Sequence, residues 1–353
     1  MVVMTRLPDP TVRPANAIGR PAAAAGLRDQ FGRVARDLRV SVTDRCNLRC
    51  TYCMPAEGLP WMPQAEMLSD EEMLRLIGLF VRDGVTQVRL TGGEPLLRRS
   101  LVDLVAGIAS LEPRPRIAMT TNGVGLDRIA HRLAAAGLDR VNVSLDTIDS
   151  ETFTRLTRRD RLPDVELGLK AAADAGLTPV KVNAVAMRGV NDQSVADVLQ
   201  WCLERGYELR FIEQMPLDAQ HAWDRGDMVT ADEVRATLSK RFSLTPLPAV
   251  ERGSAPAERF LVDGGPQTVG IIASVTAPFC GACDRTRLTA DGQVRNCLFS
   301  RTETDLRTPM REGASDDELL DLMRGEMWRK RRGHGIGDPG FVQPDRPMSA
   351  IGG

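Results

Sequence analysis

Six short runs with apolar and polar residues in alternation fall at about 38–43, 85–91, 116–120, 140–145, 179–185 and 208–213. Five stretches with helical spacing lie between them, at about 70–83, 99–110, 125–136, 164–175 and 192–205. A period of two predicts strands and a period of 3.6 predicts helices. Their regular succession predicts βαβ units around a parallel sheet. Gly84, Gly137, Gly176 and Gly206 stand between a helix and the next strand, where glycine ends a helix. Six strands are too few to close an eight-stranded barrel. The expected fold class is therefore α/β, an open partial (βα)6 TIM-like barrel. After about residue 220 one helical stretch (230–241) and short strands near 258–262, 268–272, 285–289 and 293–297 predict a smaller α+β region packed on the first. The expected division is a disordered N-terminal tail over 1–35, the partial barrel over 36–220, the C-terminal region over 221–330 and an extended Gly-rich tail over 331–353.

The alternation carries a second message. One parity of the strands is polar: Arg39 and Ser41; Gln87, Arg89 and Thr91; Asn142 and Ser144; Lys181 and Asn183. The other parity is mostly valine and leucine, which the apolar stripes of the helices claim. The polar face then turns into the barrel, where an ordinary barrel is filled with Val, Ile and Leu. A solvent-facing antiparallel sheet is the alternative, and helical crossovers disfavour it. Arg285 and Arg287, two apart in the second region, add to Arg39, Arg89 and Lys181. Such a lumen calls for an anion, and a nucleoside triphosphate fits the charge. The chain has no G-x4-G-K-[ST] run, so side-chain cations would have to hold it.

Composition narrows the field. With 46 Lys and Arg against 47 Asp and Glu in 353 residues, the chain lacks the basic excess of a nucleic-acid binder. No apolar run approaches the ~18 residues of a membrane span, and no signal peptide is visible, so a cytoplasmic protein is expected. Aromatics are 4% and histidines three, which disfavours base-stacking platforms and His-rich metal sites. Six of the seven cysteines form two groups of three: Cys46, Cys50 and Cys53, then Cys280, Cys283 and Cys297. That spacing reads as metal or cluster ligation in a reducing compartment.

The first trio follows the first strand, at the end of a parallel sheet where catalytic groups gather. A four-iron cube bound by three cysteines keeps one iron open. Structural zinc, the other reading, usually takes four protein ligands, and a distant fourth would satisfy it. In the second trio, Asp291-Gly292 predicts a two-residue hairpin pairing Ala290 with Gln293 and Thr286 with Cys297, which returns Cys297 toward Cys283. Cys202 shares an apolar helix face with Val195, Val198, Leu199 and Leu203 and reads as core. Thr91-Gly92-Gly93-Glu94-Pro95 follows the second strand. Its glycines admit a close backbone approach to a ligand, and Glu94 could accept an ammonium.

On the Cys46–Cys53 loop and the Gly92–Pro95 turn, the chain resembles the radical S-adenosylmethionine (SAM) superfamily. The second cysteine trio narrows this, together with Thr120-Thr121-Asn122-Gly123, Asn142-Val143-Ser144-Leu145-Asp146, Lys181-Val182-Asn183, Met215-Pro216, Asp284-Arg285-Thr286-Arg287 and the terminal Gly352-Gly353. Over about residues 35–353 the chain is similar to the GTP 3',8-cyclase family of molybdenum cofactor biosynthesis. The resemblance implies two [4Fe-4S] clusters, one on Cys46, Cys50 and Cys53 that binds SAM, and one on Cys280, Cys283 and Cys297 that binds the substrate. It implies SAM contacts at Tyr52, Gly93, Ser144 and Met215. GTP contacts are implied at Arg39, Arg89, Thr120, Lys181, Arg285, Thr286 and Arg287, with catalytic roles for Arg285, Arg287, Gly352 and Gly353. The implied reaction is removal of the ribose C3' hydrogen of GTP by a 5'-deoxyadenosyl radical, then attack of C3' on C8. Implied partners are a reductant and a downstream cyclic pyranopterin monophosphate synthase, with a monomer or homodimer as the assembly. Two other readings stand beside it: a peptide-modifying radical SAM enzyme, and a non-catalytic iron–sulfur electron carrier.

Overall fold

The computed structural model describes residues 26–352. Its first six strands are β1 (Asp37–Ser41), β2 (Gln87–Thr91), β3 (Arg116–Thr121), β4 (Arg140–Ser144), β5 (Lys181–Val185) and β6 (Glu208–Ile212). They lie side by side in chain order, all parallel. The crossovers carry α1 (Asp70–Arg82), α2 (Leu101–Ala109), α3 (Ala130–Ala135), α4 (Ser150–Thr157), α5 (Leu162–Asp174) and α6 (Val195–Glu204). Their apolar stripes cover the valine parity of the strands, so Val40, Val88, Val141, Val143 and Val182 are completely buried. Cys202 lies in this core, as expected. The spacing gave no sign of α4, whose helix is short; Asp149 caps it by accepting from the Thr152 N–H at 2.8 Å.

The strands after residue 220 do not make a sheet of their own. They are β7 (Leu244–Pro246), β8 (Glu258–Val262), β9 (Thr268–Ile272), β10 (Arg285–Leu288), β11 (Gln293–Arg295) and β12 (Thr304–Asp305). Strand β9 joins β6 in parallel and β10 joins β1 in parallel, with antiparallel strands outside each. The described residues thus form one twelve-stranded sheet in the order β12-β11-β10-β1-β2-β3-β4-β5-β6-β9-β8-β7. An open barrel leaves unpaired N–H and C=O groups along β1 and β6, and the C-terminal strands satisfy both rows. The second trio is thereby carried to the edge of the first.

Helices α7 (Ala231–Leu238), α8 (Arg307–Arg311), α9 (Asp316–Trp328) and α10 (Met348–Ile351) complete the described chain. Ser315 and Glu318 close a capping box on α9. Arg75 of α1 pairs with Asp316 at 2.9 Å, holding α9 against the barrel.

Three expectations need correction. The disordered tail does not extend to residue 35: Leu27, Asp29 and Ala35 are buried, and the Ala35 N–H donates to the Leu27 carbonyl at 2.8 Å. Residues 1–25 lie outside the described residues. The final stretch is not extended throughout, because it ends in α10. Arg346 anchors it by pairing with Asp291 at 2.7 Å and Glu303 at 2.8 Å. The β10–β11 hairpin pairs Leu288 with Val294 and Arg287 with Arg295, one residue away from the expected register. Ala290, Asp291 and Gly292 form a three-residue loop with Gly292 at φ +80°. Asp291 is drawn out of a two-residue turn by Arg346 and by the Thr289 hydroxyl, which donates to it at 2.5 Å.

Candidate active site

The polar strand parity faces a cavity of about 780 Å³, within the usual size range for a small-molecule site. The register sets its wall. Arg39 lies between Arg287 and Arg89 on adjacent strands, and Asp37 lies between Arg285 and Gln87. Further round, Thr120, Asn142, Lys181 and Glu208 stand in one row, and Ser144, Asn183 and Arg210 in the next. Ten Lys and Arg residues line the cavity against six Asp and Glu, so its field is cationic.

Several atoms of these groups have no hydrogen-bond partner. Arg39 Nε, Arg89 Nε and Nη1, Arg285 Nε, Asn142 Oδ1 and Asn183 Oδ1 are buried without a hydrogen bond. Each costs about 1–3 kcal/mol until something satisfies it. Burial, then Arg285, pushes Arg39 down to about 9, although Asp37 pulls it back. Burial lowers Arg89 and Arg210 to about 10 each, and Arg287 is also held well below its ordinary value by burial, Arg39 and Arg285. A polyanion would relieve all four.

Not every expected residue faces this space. Thr286 is completely buried on the opposite face of β10, where its hydroxyl donates to the Arg295 carbonyl at 3.4 Å. Lys181 does line the cavity, but its ammonium is tied to Glu208 at 2.5 Å. Arg140 and Arg210 line it too; both share the inward parity of their strands, so alternation alone could have found them. Arg252 and Arg259 come from a loop and an outer strand that carry no such signal.

The first trio sits on the loop after β1, at the carboxyl end of the sheet. All three thiols are free and half-buried. The Cys53 and Met54 N–H groups both donate to the Cys50 carbonyl, at 2.9 and 3.1 Å, and this turn gathers Cys50 and Cys53. What the adjacent glycines admit is this loop. A Cβ at Gly93 would lie 2.2 Å from the Arg45 carbonyl oxygen, and one at Gly92 would lie 2.4 Å from that of Thr43. The Gly93 and Glu94 N–H groups donate to those two carbonyls, each at 2.7 Å.

Glu94 is already engaged within the fold. It accepts from the Thr121 hydroxyl at 2.6 Å and from the N–H groups of Asn122 at 2.7 Å and Leu96 at 3.1 Å. Burial still pushes its carboxyl up to about 7. Tyr52, Ser144 and Met215 line the cavity, whereas Gly93 does not. The Tyr52 hydroxyl donates to Asp146 at 2.8 Å, and burial raises Asp146 to about 6. Burial also pushes Cys46 up to about 11 and Cys53 to about 12, so these thiols are poor free anions.

The second trio lies beside β10, with Cys280, Cys283 and Cys297 also free and half-buried. One short turn, Cys280–Ala282, brings Cys283 round so that its N–H donates to the Cys280 carbonyl at 3.2 Å. Burial raises the Cys280 thiol. At Cys283 burial is outweighed by Lys330 and Arg285, which leave that thiol below its ordinary value. Among the described residues no three His, Cys, Asp or Glu side chains converge on a single metal ion. A four-iron cube does not ask for that, since each thiolate binds a different iron. The donor sets, three thiols each, fit such a cube.

The last described residues reach the chamber. Met348 lines the cavity, and Arg287 donates to the Gly352 carbonyl. Gly352 has φ +83° and packs so closely on Ser41 and Thr91 that a Cβ would lie 2.3 Å from Thr91 Oγ1. Gly353 lies outside the described residues.

Comparison with known proteins agrees with this architecture. Residues 40–202 match the family model of the radical SAM superfamily, and residues 207–336 match that of Molybdenum Cofactor Synthesis C. GTP 3',8-cyclase of Streptomyces coelicolor is 63% identical over 328 residues, covering 93% of this chain and 96% of the relative. GTP 3',8-cyclase of Mycobacterium marinum is 58% identical over 361 residues, covering 100% of both. Among solved structures, anSMEcpe with bound AdoMet superposes with a TM-score of 0.57 at 15% identity, over 85% of this chain and 82% of that one. Streptococcus suis SuiB bound to precursor peptide SuiA gives 0.59 at 14%, over 84% and 67%. These two share the fold alone. On its cysteine loops, its cationic chamber and its near full-length similarity to those cyclases, the chain belongs to the GTP 3',8-cyclase family.

Proposed function

We propose that the chamber binds GTP between two cysteine-held [4Fe-4S] clusters and that the chain is a radical SAM lyase forming 3',8-cyclo-7,8-dihydroguanosine 5'-triphosphate. The observation that carries this is the belt of buried arginine donors without a hydrogen bond on Arg39, Arg89 and Arg285, on the paired strands β10, β1 and β2. Cys46, Cys50 and Cys53 would hold one cluster, and Cys280, Cys283 and Cys297 the other. When bound, the first cluster supplies the electron that splits SAM into methionine and a 5'-deoxyadenosyl radical, chemistry no side chain can perform.

The chain's own residues bind, orient and exclude water. Tyr52, Ser144 and Met215 line the chamber where SAM would lie, with Gly93 holding the loop beneath. Arg39, Arg89, Lys181, Arg285 and Arg287 neutralise the triphosphate, and Thr120 offers a hydroxyl beside them. Thr286 then acts only through its backbone, between two arginines. Held in this way, the ribose would have its C3' turned toward the SAM side of the chamber, where a radical formed at C3' could close on C8 of the same nucleotide. The cyclised base radical needs one further electron and a proton. An external reductant therefore delivers two electrons per turnover, and the product passes to a cyclic pyranopterin monophosphate synthase. No helix among the described residues is long and apolar enough to cross a membrane, and oxygen-labile centres suit the cytoplasm.

Anaerobic incubation of the reconstituted protein with SAM, dithionite and each nucleoside triphosphate in turn tests this. Formation of 5'-deoxyadenosine should depend on GTP. Equal formation with ATP, CTP or UTP would rule the reading out.

Two further outcomes are expected. Gly93→Ala pushes a methyl into backbone that has nowhere to go, at a cost of about 1–3 kcal/mol. Iron per chain should fall to about half as the first trio alone fails to assemble. Burial and Arg210 lower Lys181 to about 8 in the empty chamber, although Glu208 pulls it back. A bound phosphate raises it, so GTP binding takes up a proton above that pH. From pH 7 affinity should hold to about pH 8 and weaken above it, by at most about tenfold per unit up to about pH 9. Titration calorimetry of Lys181→Met should show a flat profile until near pH 9, where Arg39 takes over.

A further inference from the structure

Lys330 follows α9 and is only 3% exposed. Its ammonium donates to the Arg285 carbonyl at 2.7 Å and the Cys283 carbonyl at 3.2 Å, and lies 3.5 Å from the Cys283 sulfur. No carboxylate pairs with it among the described residues. A buried cation without a counter-ion is costly, and the ionisable group in contact with it among the described residues is the Cys283 thiol of the second trio. Arg33 donates to the Cys280 carbonyl at 2.7 Å and is itself paired with Asp29, much as Arg49 donates to the Cys46 carbonyl at 2.7 Å in the first trio. What sets the second trio apart among the described residues is an ammonium against one of its sulfurs.

We infer that Lys330 is the counter-cation of the cluster at Cys280, Cys283 and Cys297 and holds its reduced form, raising the potential of that centre. The inference rests on the two-cluster reading above. Adding one electron makes the three-thiolate cube more negative by one charge, and a fixed positive charge against one of its sulfurs stabilises that state. Hydrogen bonds to the sulfurs and local charge are the protein's means of tuning such potentials. Lys330 is thus a positioning and tuning residue that need not touch GTP.

The experiment uses full-length protein in which Cys46, Cys50 and Cys53 are all replaced by alanine, so that only the second centre remains. If this protein binds no iron, the two-cluster reading has failed, and not the role of Lys330. If it binds about four iron atoms, an electron paramagnetic resonance titration with dithionite gives the midpoint. Lys330→Gln, which keeps a donor but not the charge, should lower the reduced-to-oxidised ratio at fixed potential at least about tenfold, a negative shift of about 59 mV for one electron. Lys330→Arg should stay within about threefold of the parent, since the charge is kept. Should Lys330→Gln lose its iron while Lys330→Arg retains it, the charge is needed to hold the centre and the inference stands. An unshifted Lys330→Gln, or loss of iron from both variants, overturns it.

Discussion

Arg287→Ala is expected to lower kcat/KM for GTP by at least about thirtyfold while leaving the iron content unchanged. Arg287 is 4% exposed, sits beside Arg39 across the β1–β10 pairing and is held among like charges. Removing one partner of a buried, hydrogen-bonded charge pair typically costs about 2–5 kcal/mol, and each 1.4 kcal/mol is about a factor of ten. The loss should appear mainly in GTP affinity, because the guanidinium meets the triphosphate before and after cyclisation alike. Uncoupled cleavage of SAM without GTP should stay at its basal level. Iron analysis guards the reading: β10 carries Arg287 and begins two residues after Cys283, and concurrent loss of iron would make the arginine a structural residue.

Gly352→Val should reduce GTP-dependent 5'-deoxyadenosine formation at least about tenfold, with a shift in unfolding free energy of under about 1 kcal/mol. Two obstacles act on the same residue. Its φ of +83° is one that β-branched residues avoid, and a Cβ there would strike Thr91 Oγ1 at 2.3 Å. The lumen cannot yield, because Ser41 and Thr91 are buried on central strands. The terminal segment must withdraw instead, breaking the bond from Arg287. Since α10 spans only four residues at the chain end, little of the fold depends on it. Single-turnover assays beside thermal melts would separate the two effects.

How far the residues foretold this molecule varies from place to place. Strand parity placed Arg39, Arg89, Asn142, Ser144, Lys181 and Asn183 on the inner wall, because in a parallel sheet covered by helices the apolar parity has one place to go. Cysteine spacing singled out both trios as candidate ligand sets for a similar reason: thiols at such intervals serve few other purposes. The failures share a cause as well. Glu94 read as free to meet a ligand, but its partners Thr121 and Asn122 come from the neighbouring strand and its following loop, and only the fold brings them near. The β10–β11 register slipped by one since Arg346, far along the chain, decides where Asp291 points. The placement of β9 and β10 on opposite edges of one sheet was hidden too, for pairing partners of edge strands leave no mark in local periodicity. Residues 26–35 looked featureless because Leu27 and Ala35 are too few to form a pattern, although Arg33 ties that segment to Cys280.

The most direct trial uses GTP carrying deuterium at the ribose 3' position, incubated anaerobically with SAM, dithionite and the reconstituted protein. Mass spectrometry should find one deuterium in the 5'-deoxyadenosine and none at C3' of the cyclised nucleotide. Unlabelled 5'-deoxyadenosine beside a nucleotide that keeps its deuterium would mean that the hydrogen comes from elsewhere, and the arginine-lined chamber would then be holding something other than the substrate proposed here.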